Sequence, residues 1–289
     1  MHFAIITDTS TNLPARYLRA SDVTAVPFSY FVEEEEHLCP AADEFDGRAF
    51  YDQLRQGTEV KTALINEQRY TDYFEPVLQA GQDILFVGMS SGISGSMQVA
   101  KLAAHELCER YPNRKIVVMD TMAASLGEGI FVRTAVRLRD AGKTLAETAA
   151  ELLRMRGHVC QFFTVDDLMF LRRGGRISNI TAVLGTVLGI KPLLKGNEEG
   201  QIIVYGKTRG RKKALRALAE ELEARFLPDH PYQHVAIAHG DCEEDAQTVA
   251  ALIREQHPEV EVEIECYEPV TGSHVGPGTV ALFFVGTER

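Results

Sequence analysis

The chain has 289 residues, 45% of them hydrophobic and 25% charged, enough apolar material for one large domain or two ordinary ones and too much for disorder. A formal net charge of −11 argues against general binding to nucleic acid or to an anionic membrane, both of which call for a positive surface. Cys39, Cys108, Cys160, Cys242 and Cys266 are odd in number and widely spaced, with no CxxC, which disfavours a disulfide framework or a zinc site.

The amino terminus, MHFAIITDTS, lacks a basic segment followed by a long apolar run, and no stretch approaches the length of a transmembrane helix. A cytoplasmic location without stable membrane insertion is expected. Phe3–Thr7 reads as a buried strand ending at Asp8, and Ser10-Thr11-Asn12 before Pro14 as a capped helix start. Val23–Val32 is extended and interrupted by Pro27, and Glu33–Glu36 reads as a solvated loop or turn. Helices are predicted over Gly47–Gln56, Gln68–Ala80, Ser94–Arg110, Gly127–Asp140 and Leu145–Met155, with strands at Ile84–Val87 and Lys115–Met119 between them. This alternation predicts a mostly parallel sheet covered on both faces.

The second half opens with a strand at Val159–Thr164 and short helices at Asp166–Arg172 and Asn179–Leu188. Lys191–Leu194 is extended, Gln201–Lys207 a strand and Arg211–Arg225 a helix. Strand, helix and strand follow at Gln233–His239, Glu243–His257 and Val260–Tyr267, then a last strand at Thr279–Val285. No internal repeat or low-complexity linker marks the middle, and the boundary is placed near Gly157.

In open α/β sheets, ligands bind beyond the carboxyl ends of the strands. Those ends carry Asp8-Thr9-Ser10, then Gly88 to Ser96 (GMSSGISGS), then Asp120-Thr121 and Ser125-Leu126-Gly127: hydroxyls and glycines, with no cation or imidazole. A Gly/Ser loop running into a helix start offers free amides and the positive dipole end, a seat for a carboxylate or phosphate, or simply a capped turn. Gly88-x-Ser90-x-Gly92 also matches the nucleophile elbow of a serine hydrolase, with Asp241 and His274 as partners in the right chain order. Asp8 and Asp120, both ending strands, could share a magnesium ion or simply cap backbone amides. There is no phosphate-binding loop of the ATPase type.

Further on, Asp166-Asp167-Leu168 leads to Leu171-Arg172-Arg173-Gly174-Gly175-Arg176, three arginines around a glycine break. They suit carboxylates or phosphates, or pairing with the two aspartates. Lys207, Arg209, Arg211, Lys212, Lys213 and Arg216 form a second basic group, a docking surface or a solvated face. Thr271 to Gly278 (TGSHVGPG) reads as a constrained loop able to turn His274 inward.

Eight segments in this order resemble the DegV family: TDTSTNLP (7–14), Lys61-Thr62, SSGISGSMQ (90–98), DTMAASLGEG (120–129), DDLMFLRRGGRIS (166–178), KPLL (191–194), GKTRGRKKA (206–214) and GSHVGPGTVALFF (272–284). The resemblance implies two α/β domains. The first, 1–157, would hold a mostly parallel sheet and bind a carboxylate. The second, 158–289, would be smaller, with a mixed sheet, and receive an acyl chain and a partner. It implies one long-chain fatty acid between them and no cofactor, in a carrier without catalytic machinery of its own that presents its ligand to a separate fatty acid kinase. An alternative is a lipid-responsive sensor with no kinase.

On that pattern Thr62, Ser94 and the Gly95 amide hold the carboxylate, with Ser91, His274 and Arg176 close by. Leu64, Ile65, Phe163, Leu184, Leu188 and Phe283 are expected to line the acyl tunnel, and Arg172, Arg173 and Arg209 to dock the partner. The family commonly follows its equivalent of Thr62 with Ser-Gln-Pro-Ser or similar, whereas here Ala63-Leu64-Ile65-Asn66 follows; the stretch Glu33–Asp43 is also unusual.

Overall fold

The structure is a computed structural model that describes residues 3–177 and 189–289. Strands β1 (Ala4–Asp8), β2 (Val23–Val26), β6 (Ile84–Gly88) and β7 (Ile116–Asp120) make an all-parallel sheet in the order β2-β1-β6-β7. Helices α3 (Glu67–Gln79) and α4 (Ser96–Arg110) cover one face, and α5 (Leu126–Asp140) lies on the other. Alternation along the strands explains the layering: Ile6 and Phe86 point to Tyr70, Phe74, Met97 and Ala103, while Ile5, Leu85 and Val87 point to Ile130 and Phe131 of α5. Helix α1 (Ala15–Ala20) leads into β2, and α6 (Leu145–Met155), started by a Thr144–Glu147 capping box, packs beside α5.

The later strands build a mixed sheet, β10-β9-β8-β13-β11-β12: β8 (Val159–Thr164), β9 (Ile190–Gly196), β10 (Ile202–Arg209), β11 (Val235–His239), β12 (Val262–Cys266) and β13 (Val280–Val285). Helices α8 (Arg211–Arg225) and α9 (Glu243–Gln256) cover its outer face against Phe162, Ile237, Leu282 and Phe284. Its inner face, with Phe163, Ala236, Ala281 and Phe283, joins the same core as α5. Helix α5 is therefore buried almost all the way round, between two sheets, as its run of apolar residues requires. The hydrogen-bonded sheets divide between Asp120 and Val159, but the core does not.

The acidic run is not merely a loop. Glu33 and Glu34, both at positive φ (49° and 71°), turn β3 (Ser29–Val32) back into β4 (Glu35–Leu38). Exposed glutamates suit that edge strand. On its other side β3 pairs with β5 (Val60–Ala63), so the stretch expected as a loop at Thr62 begins as a strand. The expected helix start at Ser10–Asn12 is a 3-10 turn capped by Asp8, with Asn12 left-handed at φ 54°; α1 begins only after Pro14. Helix α2 (Gly47–Arg55) forms as predicted, while α7 is the shorter Met169–Arg173.

The segment expected as a loop around His274 is helix α10 (Pro269–Val275). Proline stands at its first turn, and the Glu268 carboxylate accepts the amides of Val270 and Thr271. It packs on α7, α2, β3 and β5. The helix expected over Asn179–Leu188 lies outside the described residues, with Leu184 and Leu188.

Candidate functional site

A cavity of ≈ 280 Å³ opens beyond the carboxyl ends of β6 and β7, between the parallel sheet and the inner face of the mixed one. Its wall is mainly apolar, from Phe28, Met89, Ile93, Phe163, Ile202 and Phe283. One end is polar. There Thr62 of β5, Ser94 and Gly95 of the β6–α4 loop, Arg176 and His274 of α10 converge.

The Thr62 hydroxyl and His274 Nε2 share a hydrogen bond of 2.9 Å. Burial, and then the positive charge of Arg176, lower the His274 pKa from 6.5 to about 4, so the ring is neutral at neutral pH. Arg176 donates from Nε to the Ile93 carbonyl at 3.1 Å and from Nη1 to the Gly174 carbonyl, fastening α7 to the serine loop. Burial holds its pKa below the usual arginine value, and no carboxylate of the described residues pairs with it. A half-buried cation beside a neutral histidine, two hydroxyls and the first amides of α4 is a seat for one negative charge. Gly174 makes this possible: a Cβ there would stand 2.1 Å from His274 Nδ1.

On the far side of the Thr62–His274 pair lies a second cavity, ≈ 340 Å³, lined by Thr58, Lys61, Arg173 and Ser273. Thr62, Arg176 and His274 border both spaces, so the polar end of the apolar cavity is also reached from a polar recess.

Beneath the serine loop is a buried carboxyl network. Asp8 accepts the Met89 amide at 3.1 Å. Ser10 Oγ stands 2.5 Å from Asp8 Oδ1 and 2.7 Å from Glu128 Oε2. One hydroxyl has one proton, so one of these contacts needs a carboxyl proton. Burial, and then the charge of Asp8, push the Glu128 pKa well up, and burial raises Asp8 to about 6. Glu128 is therefore the protonated partner. It donates to Ser10, which donates to Asp8, and the loop that carries Ser94 rests on this floor.

The sequence model of the DegV family, described as an uncharacterised protein family, matches residues 2–287. The chain belongs to the DegV family. It is 37% identical to a DegV domain-containing protein of Clostridium perfringens, over 99% of this chain and 98% of that one. A DegV domain-containing protein of Lactococcus lactis is 33% identical over 99% and 98%. Among solved structures, a fatty-acid-binding DegV family protein of Thermus thermophilus superposes with a TM-score of 0.89 at 28% identity, over 99% of this chain and all of that one. The fatty-acid-binding DegV family protein of Streptococcus agalactiae gives 0.87 at 30% identity, over 99% of each.

In this DegV protein Thr62, Ser94, Gly95, His274 and Arg176 come together at one end of the cavity. Ser91 does not join them: it is exposed, and its amide donates to Asp120 at 3.3 Å. Leu64 lies at the rim, 50% exposed, against Gly95. Ile65, expected in the tunnel, is instead fully buried in the core with Ile6, Tyr70 and Phe74, because β5 ends at Ala63 and the chain turns into α3. Phe163 and Phe283 line the wall as expected. Arg172, Arg173 and Arg209 are exposed, and Arg173 stacks on Phe170 at 4.6 Å.

The hydrolase partners are apart. Ser90 Oγ donates to the Gly200 carbonyl at 2.8 Å, Asp241 pairs with Arg55, and His274 is held by Thr62. Asp8 and Asp120 accept backbone amides, and no metal-ligating cluster occurs among the described residues. Among the described residues no helix is long and apolar enough to cross a membrane. Sequence reasoning placed Met89 and Ser125 in the strand-end loops without assigning them to the cavity, and missed Met122, two residues past β7, and Tyr267, just after β12, which only the tertiary structure brings in.

Proposed function

We propose that this protein binds one long-chain fatty acid, its carboxylate at Thr62, Ser94, the Gly95 amide and Arg176, its acyl chain in the apolar cavity. The observation that carries this is the cavity itself: mainly apolar and polar at one end, where a half-buried arginine has no carboxylate partner among the described residues. Solved relatives at 26–30% identity are fatty-acid- or lipid-binding DegV proteins, which supports the same ligand here. Burial of about a dozen methylenes at ~0.8 kcal/mol each contributes roughly 10 kcal/mol before the loss of ligand freedom. The polar end then fixes direction more than affinity.

The protein acts as a cytoplasmic carrier rather than an enzyme; residues 1–157 give Thr62, Ser94 and Gly95 to the carboxylate end and 158–289 add Arg176 and His274, while both halves line the acyl wall. A separate kinase phosphorylates the carboxylate, approaching through the polar recess that reaches Thr62 and His274 from outside. Arg173, which borders the recess, and the exposed Arg172 and Arg209 receive it. One feature supports presentation over sequestration: the carboxylate end borders an open recess. Mass spectrometry of the purified protein, native and then denatured, tests the reading. One fatty acid per chain, absent when Thr62 and Ser94 are both alanine, is the expected result. A protein that carries no lipid and takes up none when it is added overturns it.

A further inference from the structure

Two hydroxyls on the cavity wall, those of Ser125 and Thr271, have no hydrogen-bond partner among the described residues. Of the other polar side chains on the wall, Gln161 spends both ends of its amide, accepting from Ala124 and donating to Met122. Ser90 donates to Gly200, and the Thr271 hydroxyl stands beside the Glu268 carboxylate, an acceptor already at hand. Ser125 has no such assignment. It is 1% exposed, lines the cavity, and its Oγ has no hydrogen-bond partner among the described residues.

Ser125 is also the cap of α5, a helix of 15 residues, yet its hydroxyl makes no capping bond. Its backbone sits at φ 53°, ψ −144°, a region that side chains other than glycine rarely enter. The Tyr267 hydroxyl neighbours it: burial raises that phenol's pKa well above its ordinary range, and the Ser125 hydroxyl works in the opposite direction. Two hydroxyls carry two protons, and at most one can be used between them. The Ser125 oxygen has no partner among the described residues, and Ala123, Ala124, Phe163 and Phe283 of the same wall offer it none from their side chains. A saturated or unsaturated hydrocarbon chain offers nothing to this pair, and leaving a buried donor unpaired is costly.

We propose that Ser125 and Tyr267, at the start of α5, form a second polar subsite in the cavity, for an oxygen substituent along the acyl chain, so that the preferred ligand is a hydroxylated fatty acid. The inference rests on the carrier reading above and narrows its substrate class. The positive end of the α5 dipole favours an oxygen acceptor at this place.

Titration of the delipidated full-length protein with octadecanoic acid and with 3-, 10- and 12-hydroxyoctadecanoic acids tests it. At least one hydroxy acid is expected to bind about fivefold or more tightly than octadecanoic acid, the factor one added buried hydrogen bond corresponds to. In Ser125→Ala that ratio falls to about one. Ser125→Gly removes the hydroxyl while relieving the backbone, and gives the same ratio should the alanine variant fold poorly. Equal affinity for all four acids, as an ordered water satisfying Ser125 would produce, overturns the subsite and leaves the carrier reading standing. A preference that survives in both variants also overturns it. Binding of none of the acids removes the carrier reading and the subsite together.

Discussion

The Thr62 hydroxyl and the His274 ring, 212 residues apart in the chain, meet at 2.9 Å and close the polar end of an apolar cavity. Thr62 stands on a three-stranded sheet with the β3–β4 hairpin, His274 on a two-turn helix set by the Glu268 cap, and Arg176 ties Gly174, which abuts His274, to the serine loop. Changing Thr62 alone to alanine removes one carboxylate contact and frees the ring. Fatty-acid affinity, measured by titration, is expected to fall about 10- to 100-fold, with most of the acyl contribution intact.

The buried histidine makes stability depend on pH. An unfolded histidine takes up its proton near pH 6.5, whereas His274 resists until about pH 4. Between those values the unfolded chain binds more protons, so the His274 contribution to stability is lost as pH falls from 6.5 to 4, by ~3 kcal/mol at the low end. Asp8, raised from 3.8 to about 6, acts with opposite sign: its contribution is greatest below pH 3.8 and is lost as pH rises through 6. The native curve is therefore flattened. Denaturation of native protein and His274→Gln from pH 7 to 4 is expected to show the variant gaining on the native protein as pH falls; parallel curves would refute the assignment.

Gly174 is needed for space rather than for backbone freedom, since a Cβ would strike His274 Nδ1. Gly174→Ala is expected to displace the imidazole and weaken fatty-acid binding about as much as His274→Ala, with a loss of thermal stability under that of a core truncation. Binding unchanged in Gly174→Ala would show that the ring position is immaterial.

Gly200 is constrained twice: its φ is +72°, and a Cβ would lie 2.1 Å from Ser90 Oγ, where the hairpin between β9 and β10 closes on the serine loop. Gly200→Ala should cost more than the ~1 kcal/mol of a left-handed alanine. In a Ser90→Ala background, with the obstructing oxygen gone, the same change should cost less, though Met122 still crowds the added Cβ at 3.0 Å. Chemical denaturation of the four proteins completes the cycle, and strict additivity would contradict the contact.

Arg172 and Arg209 are exposed and line neither cavity. The double variant Arg172→Glu, Arg209→Glu is expected to load fatty acid normally and to lower acyl phosphate formation by a partner kinase tenfold or more. Unchanged formation would remove these residues from the docking surface.

The regular elements were legible because their signals are local. The run IIT before Asp8, the ILFV and KIVVM strands and the heptad-like face of Glu67–Gln79 carry their own periodicity, and alternating strand and helix dictates a parallel sheet. The errors fall where tertiary contacts overrule local chemistry. Ser10-Thr11-Asn12 looked like a helix cap, but the Ser10 hydroxyl meets Asp8 and Glu128 and the Asn12 side-chain carbonyl oxygen accepts the Glu268 amide. Glycine and proline in 269–278 spoke for a loop, and packing on α2, β3 and β5 made a helix of it.

The sequence by itself determined the order of elements, the family, and the set of hydroxyls, glycines and arginines from which a carboxylate seat is made, because strand ends and helix starts are properties of neighbouring residues. Only the tertiary structure decided which of those groups meet. Thr62 and His274 are joined, Ser91 turns outward, Ile65 enters the core, and Ser125 is left in the cavity wall with a proton and no acceptor among the described residues. Those outcomes depend on how two sheets close on α5, a long-range packing of side chains that no local spacing encodes.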